Sequence, residues 1–549
     1  MFPFLIRKRK KRLKEAIQEL ESRYIEEEEE KQDDISVFLT AAADMPMEEI
    51  NVTYPVLPPF QFANIKYDPA NNDLVYSPAE PILTKEEKNY LSTISLLLEN
   101  IRVDPDVLLG DKEEFLRRMI ADIMDRYGMR LDMFQREKIT YFLTKEYTGY
   151  GWIEIPMNDR YTEDVSCNGA DVPLYIYHRV FESIRANITI PELELNRFVL
   201  KLAQASGKYI SIAQPITDAS LPDGSRINLT LGTEVTKKGS TFTIRKFKRD
   251  PISPIELMKY GSVSSELFAF LWVLLQYNRS VLVSGSTAAG KTTFLNALCM
   301  FLRREAKVVS IEDTPEINIF HDNWIQAATR TGFGQGGGAA GISGVTKSSG
   351  DIALYDLLTA ALRQRPDYII VGEVRGTEAY TMFQAISVGH PSLGTVHSGS
   401  FPQLLSRLES KPMNVPRALL SSLDSVVFAS IVPRDTDGTD MRKVRRVKSV
   451  VEVLDLSVDT GDLLTNEVIT WDPVNDRFEF GKSFIFDSIQ QEFGVKESYL
   501  KEEMRRRTAV MDYMYERNIT DFRDVTRVIQ EYYTRPDETY AMVCEAQNT

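Results

Sequence analysis

The sequence predicts an α/β protein whose core is a mostly parallel sheet covered on both faces and built around a phosphate-binding loop. Two observations carry this. The stretch Gly285 to Thr292 reads GSTAAGKT, directly after the apolar run Val281, Leu282, Val283 and directly before a helix-prone stretch. Around it, short apolar runs alternate with helical periods: Val281 to Ser284, Thr292 to Leu302, Val308 to Ile311, Ile352 to Arg363, Tyr368 to Val371, Glu378 to Val388 and Gly394 to His397. Alternation of this kind requires crossover helices, and crossover helices give a parallel sheet.

The loop has the chemistry of a polyphosphate site. Gly285 and Gly290 let the backbone of Ser286, Thr287, Ala288 and Ala289 turn its N–H groups toward an anion, and the helix N-terminus that follows adds a positive dipole end. Lys291 reaches the outer phosphates and Thr292 offers a hydroxyl to Mg²⁺, with Thr293 next in the helix. Gly285 to Thr293 are therefore the candidate nucleotide-binding residues, and the ligand expected is ATP or GTP.

Three further strand ends carry polar groups toward the same edge. The run Tyr368 to Val371 leads through Gly372 into Glu373, a carboxylate at the edge where ligands of parallel sheets sit, suited to hold Mg²⁺ through water or to orient the attacking water. Val309 to Ile311 leads into Glu312 and Asp313, of which Glu312 is the favoured acid for positioning water. Gly394 to Val396 leads into His397, whose imidazole can sense a γ-phosphate by hydrogen bonding.

The remainder of the 549 residues divides by composition into a charged tail (1–35), an irregular proline-broken extension (36–106), an α/β domain (107–249), a hinge (250–265), the loop-bearing core (266–435) and C-terminal strands and helices (436–549). The tail opens with the apolar Met1 to Ile6, followed by six basic residues, Arg7 to Arg12, and later the acidic run Glu26 to Glu30. It reads either as a solvated arm or as a contact with an anionic membrane surface. Gly332 to Gly350, with eight glycines, reads either as a flexible connection or as a mobile loop beside the nucleotide. A net charge of −14 argues against direct handling of nucleic acid. No apolar run approaches the roughly 18–20 residues of a membrane span. Three widely spaced cysteines fit a reducing, cytoplasmic setting without a zinc site.

Together, Gly285 to Thr292, Ile311 to Glu316, Ile369 to Glu373 and Gly389 to His397 resemble the Walker A, aspartate-box, Walker B and histidine-box motifs of the secretion ATPase superfamily of type II secretion, type IV pili and the archaellum. Glu163 to Gly169 and Leu221 to Ile227 resemble stretches of that family's N-terminal domain. The resemblance implies a RecA-like core and an ATPase that forms a hexameric homo-oligomer. It also implies docking on a polytopic membrane platform protein at the inner face of the cell membrane, and arginines that reach the phosphates from the N-terminal domain. Arg226 and Arg245 are the candidates, Arg330 a weaker one. No tetracysteine module follows the histidine box, which is closer to the archaeal branch. Archaellum, pilus and secretion roles stay open, and a conjugation-type DNA-transfer motor shares the same motifs.

Overall fold

The computed structural model describes residues 35, 38–39, 41–43, 45–99, 112–247, 250–330, 352–435, 441–457 and 459–547. The basic run Arg7 to Arg12, the acidic run Glu26 to Glu30 and the glycine-rich stretch Gly332 to Gly350 lie outside them. The chain forms two compact units, residues 1–247 and 248–549.

The first unit holds a sheet of nine strands: β1 (Asn51–Leu57), β2 (Gln61–Asp68), β3 (Asp73–Ala79), β4 (Thr162–Cys167), β5 (Pro173–His178), β6 (Glu182–Thr189), β7 (Ile216–Ser220), β8 (Arg226–Thr230) and β9 (Thr241–Arg245). Their order is β1-β2-β3-β6-β5-β4-β9-β8-β7. All pairs are antiparallel except β3 with β6. Alternation along these strands buries Val165, Ile176, Phe242 and Ile244 on one face, where Leu195, Phe198 and Val199 of the helix Glu192–Ala205 meet them. The opposite face mixes polar residues such as Asn228 and Thr243 with the exposed Tyr175 and Tyr177.

Within the stretch 36–106, the described residues 45–99 are not irregular. Most of these prolines fall where a sheet tolerates a missing N–H: Pro55 lies in the edge strand β1 beside a register shift, Pro58, Pro59 and Pro69 lie in turns, and Pro78 lies near the end of β3, past its pairing with β6. The meander they punctuate is tied to the rest of the unit by a buried polar cluster. Tyr54 Oη donates to Asp159 Oδ2 at 2.6 Å and Tyr76 Oη donates to the same oxygen at 2.9 Å. His178 Nδ1 accepts from the amides of Val180 and Phe181, so Nε2 carries the proton and donates to Tyr54 Oη at 3.1 Å. Burial holds this imidazole down at about 4, so it is neutral at pH 7.

The second unit holds β10 (Val281–Gly285), β11 (Val308–Glu312), β12 (Trp324–Ala328), β13 (Tyr368–Val371), β14 (Ser392–Val396), β15 (Ser425–Asp435), β16 (Met441–Leu456), β17 (Leu463–Asp472) and β18 (Arg477–Phe480). The order is β12-β11-β13-β14-β10-β15-β16-β17-β18. The first six are parallel, and every residue of β10, β11, β13 and β14 is buried, as apolar strands covered on both faces require. The last three strands add on antiparallel, so the C-terminal region continues the core sheet instead of standing apart.

Residues 250–265 are equally part of this unit. Ser253 and Glu256 form a reciprocal capping box on the helix Pro254–Lys259, and Ile255, Leu257 and Val263 are buried in the main core cluster. The C-terminal helices close on the helix Ser265–Gln276 around Arg507, whose guanidinium lies 4.9 Å from the Trp272 ring centre and 3.1 Å from Glu503.

Because Tyr54 supplies one hydroxyl to two buried partners, Tyr54→Phe should destabilise the first unit by about 1.5–3 kcal/mol. Hydrogen exchange should quicken in β1 to β3 while β10 to β15 stay protected; unchanged exchange in the meander would remove the cluster from its anchoring role.

Candidate functional site

The phosphate loop leaves β10 at Gly285. A Cβ added there would stand 2.3 Å from the carbonyl oxygen of Ala429 on β15, so close strand packing demands the glycine. Ala288 and Gly290 take left-handed backbone angles, φ +62° and +85°, which turn the chain into the helix Lys291–Cys299. No side chain caps that helix, and its first amides are left to face the loop. Ser286, Thr287 and Ala288 are exposed, Ala289 is buried, and Thr292 and Thr293 are partly exposed on the first turn.

The strand order explains how the polar strand ends meet. With β14 between β13 and β10, their carboxyl ends carry Glu373, His397 and Lys291 in lateral sequence. The three stand in one row of polar contacts. Lys291 Nζ donates to the Ser286 carbonyl at 3.0 Å and to His397 Nδ1 at 3.2 Å, and His397 Nε2 stands 3.3 Å from Glu373 Oε1. A neutral imidazole suits both ends, accepting from the ammonium at Nδ1 and turning its Nε2 proton toward the carboxylate. Its pKa is lowered by burial and then by the charge of Lys291, which keeps it neutral. Burial also lowers that of Lys291, with Glu373 and Glu316 pulling it up and Arg407 pushing it down.

Glu312 is bound by the turn that follows it. It is 2% exposed, and its Oε1 accepts from the amides of Glu316 and Ile317 at 2.8 and 2.9 Å. The carboxyl is therefore engaged in holding the turn after β11, and burial pushes its pKa up to about 7 against those two amides. A Cβ on Gly372 would lie 2.9 Å from Glu312 Cγ, so the glycine before Glu373 makes room for this side chain. Asp313 pairs with Arg375. Glu316, the last residue of the motif Ile311 to Glu316, is the acid of this box whose charge acts on Lys291.

Arg226 and Arg245 are brought together in the first unit as directly opposed partners of β8 and β9, both exposed. Two like charges in register are unfavourable unless an anion or acid compensates them, and Asp164 on β4 stands in register with Arg245. Arg330 follows β12 and bridges to Ile352 through backbone hydrogen bonds. Two arginines that the motifs did not single out also lie at the loop. Arg445 of β16 donates to the Ala288 carbonyl at 3.0 Å, and Arg407 donates to the His397 carbonyl at 3.0 Å.

Among the described residues no group of three or more His, Cys, Asp or Glu is placed to hold a metal ion alone, and no helix is long and apolar enough to cross a membrane. The donor set at the loop, one hydroxyl and one nearby carboxylate, suits a hard cation that takes its remaining oxygens from substrate and water.

The fold and site define a phosphate-loop protein of the parallel α/β class. Residues 184–468, just over half of the chain, match the family described as type II/IV secretion system protein, and residues 474–548 match the PilB3-like C-terminal family. The chain belongs to the type II/IV secretion system family. It is 35% identical over 407 residues to an uncharacterized protein of Methanocaldococcus jannaschii, covering 73% of this chain and 70% of the relative. It is 28% identical over 263 residues to a probable conjugal transfer protein of Sinorhizobium fredii, covering 46% of this chain and 71% of the relative. Among solved structures, the ATPase DotB of Yersinia pseudotuberculosis aligns over 67% of this chain and 89% of its own at 16% identity and a TM-score of 0.37.

The raised Glu312 carboxyl has a sign that can be checked. Between the ordinary carboxylate range and about 7 the unfolded chain ionises Glu312 while the native chain keeps its proton, so native stability falls as pH rises through this window. Glu312→Gln keeps an acceptor for the two amides and removes the loss, on the order of 3 kcal/mol. In urea unfolding the variant should gain on the parent protein between pH 5 and pH 8; parallel pH profiles would show that Glu312 is not desolvated.

Proposed function

We propose that the protein is a Mg²⁺-dependent ATP hydrolase, active as a ring-forming motor that powers assembly, secretion or rotation of a type IV pilus-like filament from the cytoplasmic face of the membrane. The observation that carries the enzymatic part is the Lys291–His397–Glu373 row beside a complete phosphate loop, in a chain of the type II/IV secretion system family. The amides of Ser286 to Thr293 and the Lys291 ammonium bind the substrate phosphates. Thr292, with Glu373 through water, would hold Mg²⁺, which neutralises phosphate charge when bound. Glu373 and Glu316 orient the attacking water, Glu312 holds the turn that presents Glu316, and His397 links the phosphate contact to the water-orienting acid. Water adds to the γ-phosphorus as the bond to the β-phosphate oxygen breaks, giving ADP and phosphate.

The motor part rests on the family and on the arginine pair. Arg226 and Arg245 are proposed to meet the phosphates when rings form, so that hydrolysis depends on assembly into a homo-oligomer, hexameric by family resemblance. A polytopic platform protein is the proposed membrane partner, with the basic residues Arg7 to Arg12 adding contact to an anionic leaflet. A conjugation-type DNA motor is the second reading, favoured by the Sinorhizobium relative's name and opposed by the net charge of −14. Stimulation of turnover by DNA would support it.

Lys291→Ala should lower phosphate release about a hundredfold or more, and so should Glu316→Gln and Glu373→Gln, the latter two with nucleotide affinity within about threefold of the parent. Full turnover in Lys291→Ala would sink the assignment of the loop. Activity per chain should rise with protein concentration, and Arg245→Ala should depress turnover much more than affinity. Constant specific activity in a sample that stays monomeric by light scattering would rule out the ring as a requirement.

A further inference from the structure

We infer that Arg407 is a second cation for the terminal phosphate of the substrate, supplied by the same chain that carries the phosphate loop. This rests on the nucleotide reading above and names a contact that none of the four motifs contains. The helix Phe401–Glu409 follows β14 after only four residues, and Arg407 Nη1 returns from it to donate to the His397 carbonyl at 3.0 Å. The guanidinium is thus tied to the backbone of the residue whose ring joins Lys291 to Glu373. The segment between them is fixed as well: Ser284 Oγ donates to the Ser398 carbonyl at 2.8 Å, and Leu404 and Leu408 anchor the helix in the core.

Among the described residues Arg407, like Arg445, has no acid to answer it. Arg279, Arg375, Arg417 and Arg446 of the same unit are each paired with at least one carboxylate. Among the described residues no carboxylate pairs with Arg407, and no hydrogen bond engages its Nε or Nη2. The side chain is exposed, yet near enough to Lys291 and His397 for its charge to act on both. Two cations held together in this way repel, and a phosphoryl group relieves the repulsion while filling the planar fork of the guanidinium.

Its place along the site selects which phosphate. Arg445 lies at the Ala288 and Gly290 end of the loop, whereas Arg407 lies at the His397 carbonyl, beyond the end of β14. A triphosphate laid from the helix N-terminus past Lys291 toward Glu373 brings its γ-group to Arg407. A diphosphate stops short of it. Arg407 therefore discriminates ATP from ADP.

The test is equilibrium binding of the non-hydrolysable analogue AMP-PNP and of ADP, both with Mg²⁺, to the full chain and to Arg407→Gln, Arg407→Lys and Lys291→Ala. The expected result is that Arg407→Gln weakens AMP-PNP about tenfold and ADP less than about twofold, with Arg407→Lys recovering part of the loss. Equal weakening of both nucleotides would overturn the inference and leave Arg407 as a prop for the His397 backbone. Unchanged affinity for both would overturn it too. Lys291→Ala separates this from the parent reading, because it should weaken both nucleotides whether or not Arg407 touches the γ-phosphate.

Discussion

A buried ammonium at the carboxyl edge of a parallel sheet sets the terms for the rest of the site. Lys291 is 7% exposed, and a charge so placed must be answered by hydrogen-bond acceptors or it costs several kcal/mol. The acceptors are the Ser286 carbonyl, which requires the loop to fold back on itself, and His397 Nδ1, which requires a neutral imidazole. That imidazole in turn is best placed beside an acidic group at its Nε2, and Glu373 Oε1 stands 3.3 Å from it. Each requirement is met by a strand that ends at the right lateral position.

The parallel order is therefore more than a scaffold. Inserting β14 between the loop strand and the acid strand leaves a gap at the carboxyl edge that a single imidazole spans, and close packing of β10 against β15 explains why the loop begins with glycine. The antiparallel additions β16 to β18 extend this sheet and bring Arg445 to the back of the loop. Helices from Phe484 onward then cover the helix Ser265–Gln276, with Arg507 stacked against Trp272 and Tyr532.

Much of the second unit was legible because its signals are local. A strand, a glycine-bearing turn and a helix in a row announce the phosphate loop, and short apolar runs ending in polar groups announce β11, β13 and β14. Signals that depend on partners were not legible. Proline counts suggested irregular structure before β4, but an edge strand and its turns accept proline without loss of pairing. Pro251 and Pro254 suggested a hinge, although Ser253, Pro254 and Glu256 together spell a helix start. For Glu312, chosen over its neighbours to position water, the sequence does not show the two amides from a turn four residues on that bind its carboxyl. Arg407 left no trace in any motif, since its link to His397 runs through a backbone carbonyl.

Lys291 is the group that should change partners when substrate binds, with the sheet fixed around it. The most direct measurement is a crystal structure of the full chain with AMP-PNP and Mg²⁺, read at Lys291 Nζ. Nζ should leave the Ser286 carbonyl and His397 for the phosphate oxygens while β10, β13 and β14 keep their registers. A nucleotide bound with Lys291 still on Ser286 and His397, or bound away from the loop, would contradict this exchange of partners.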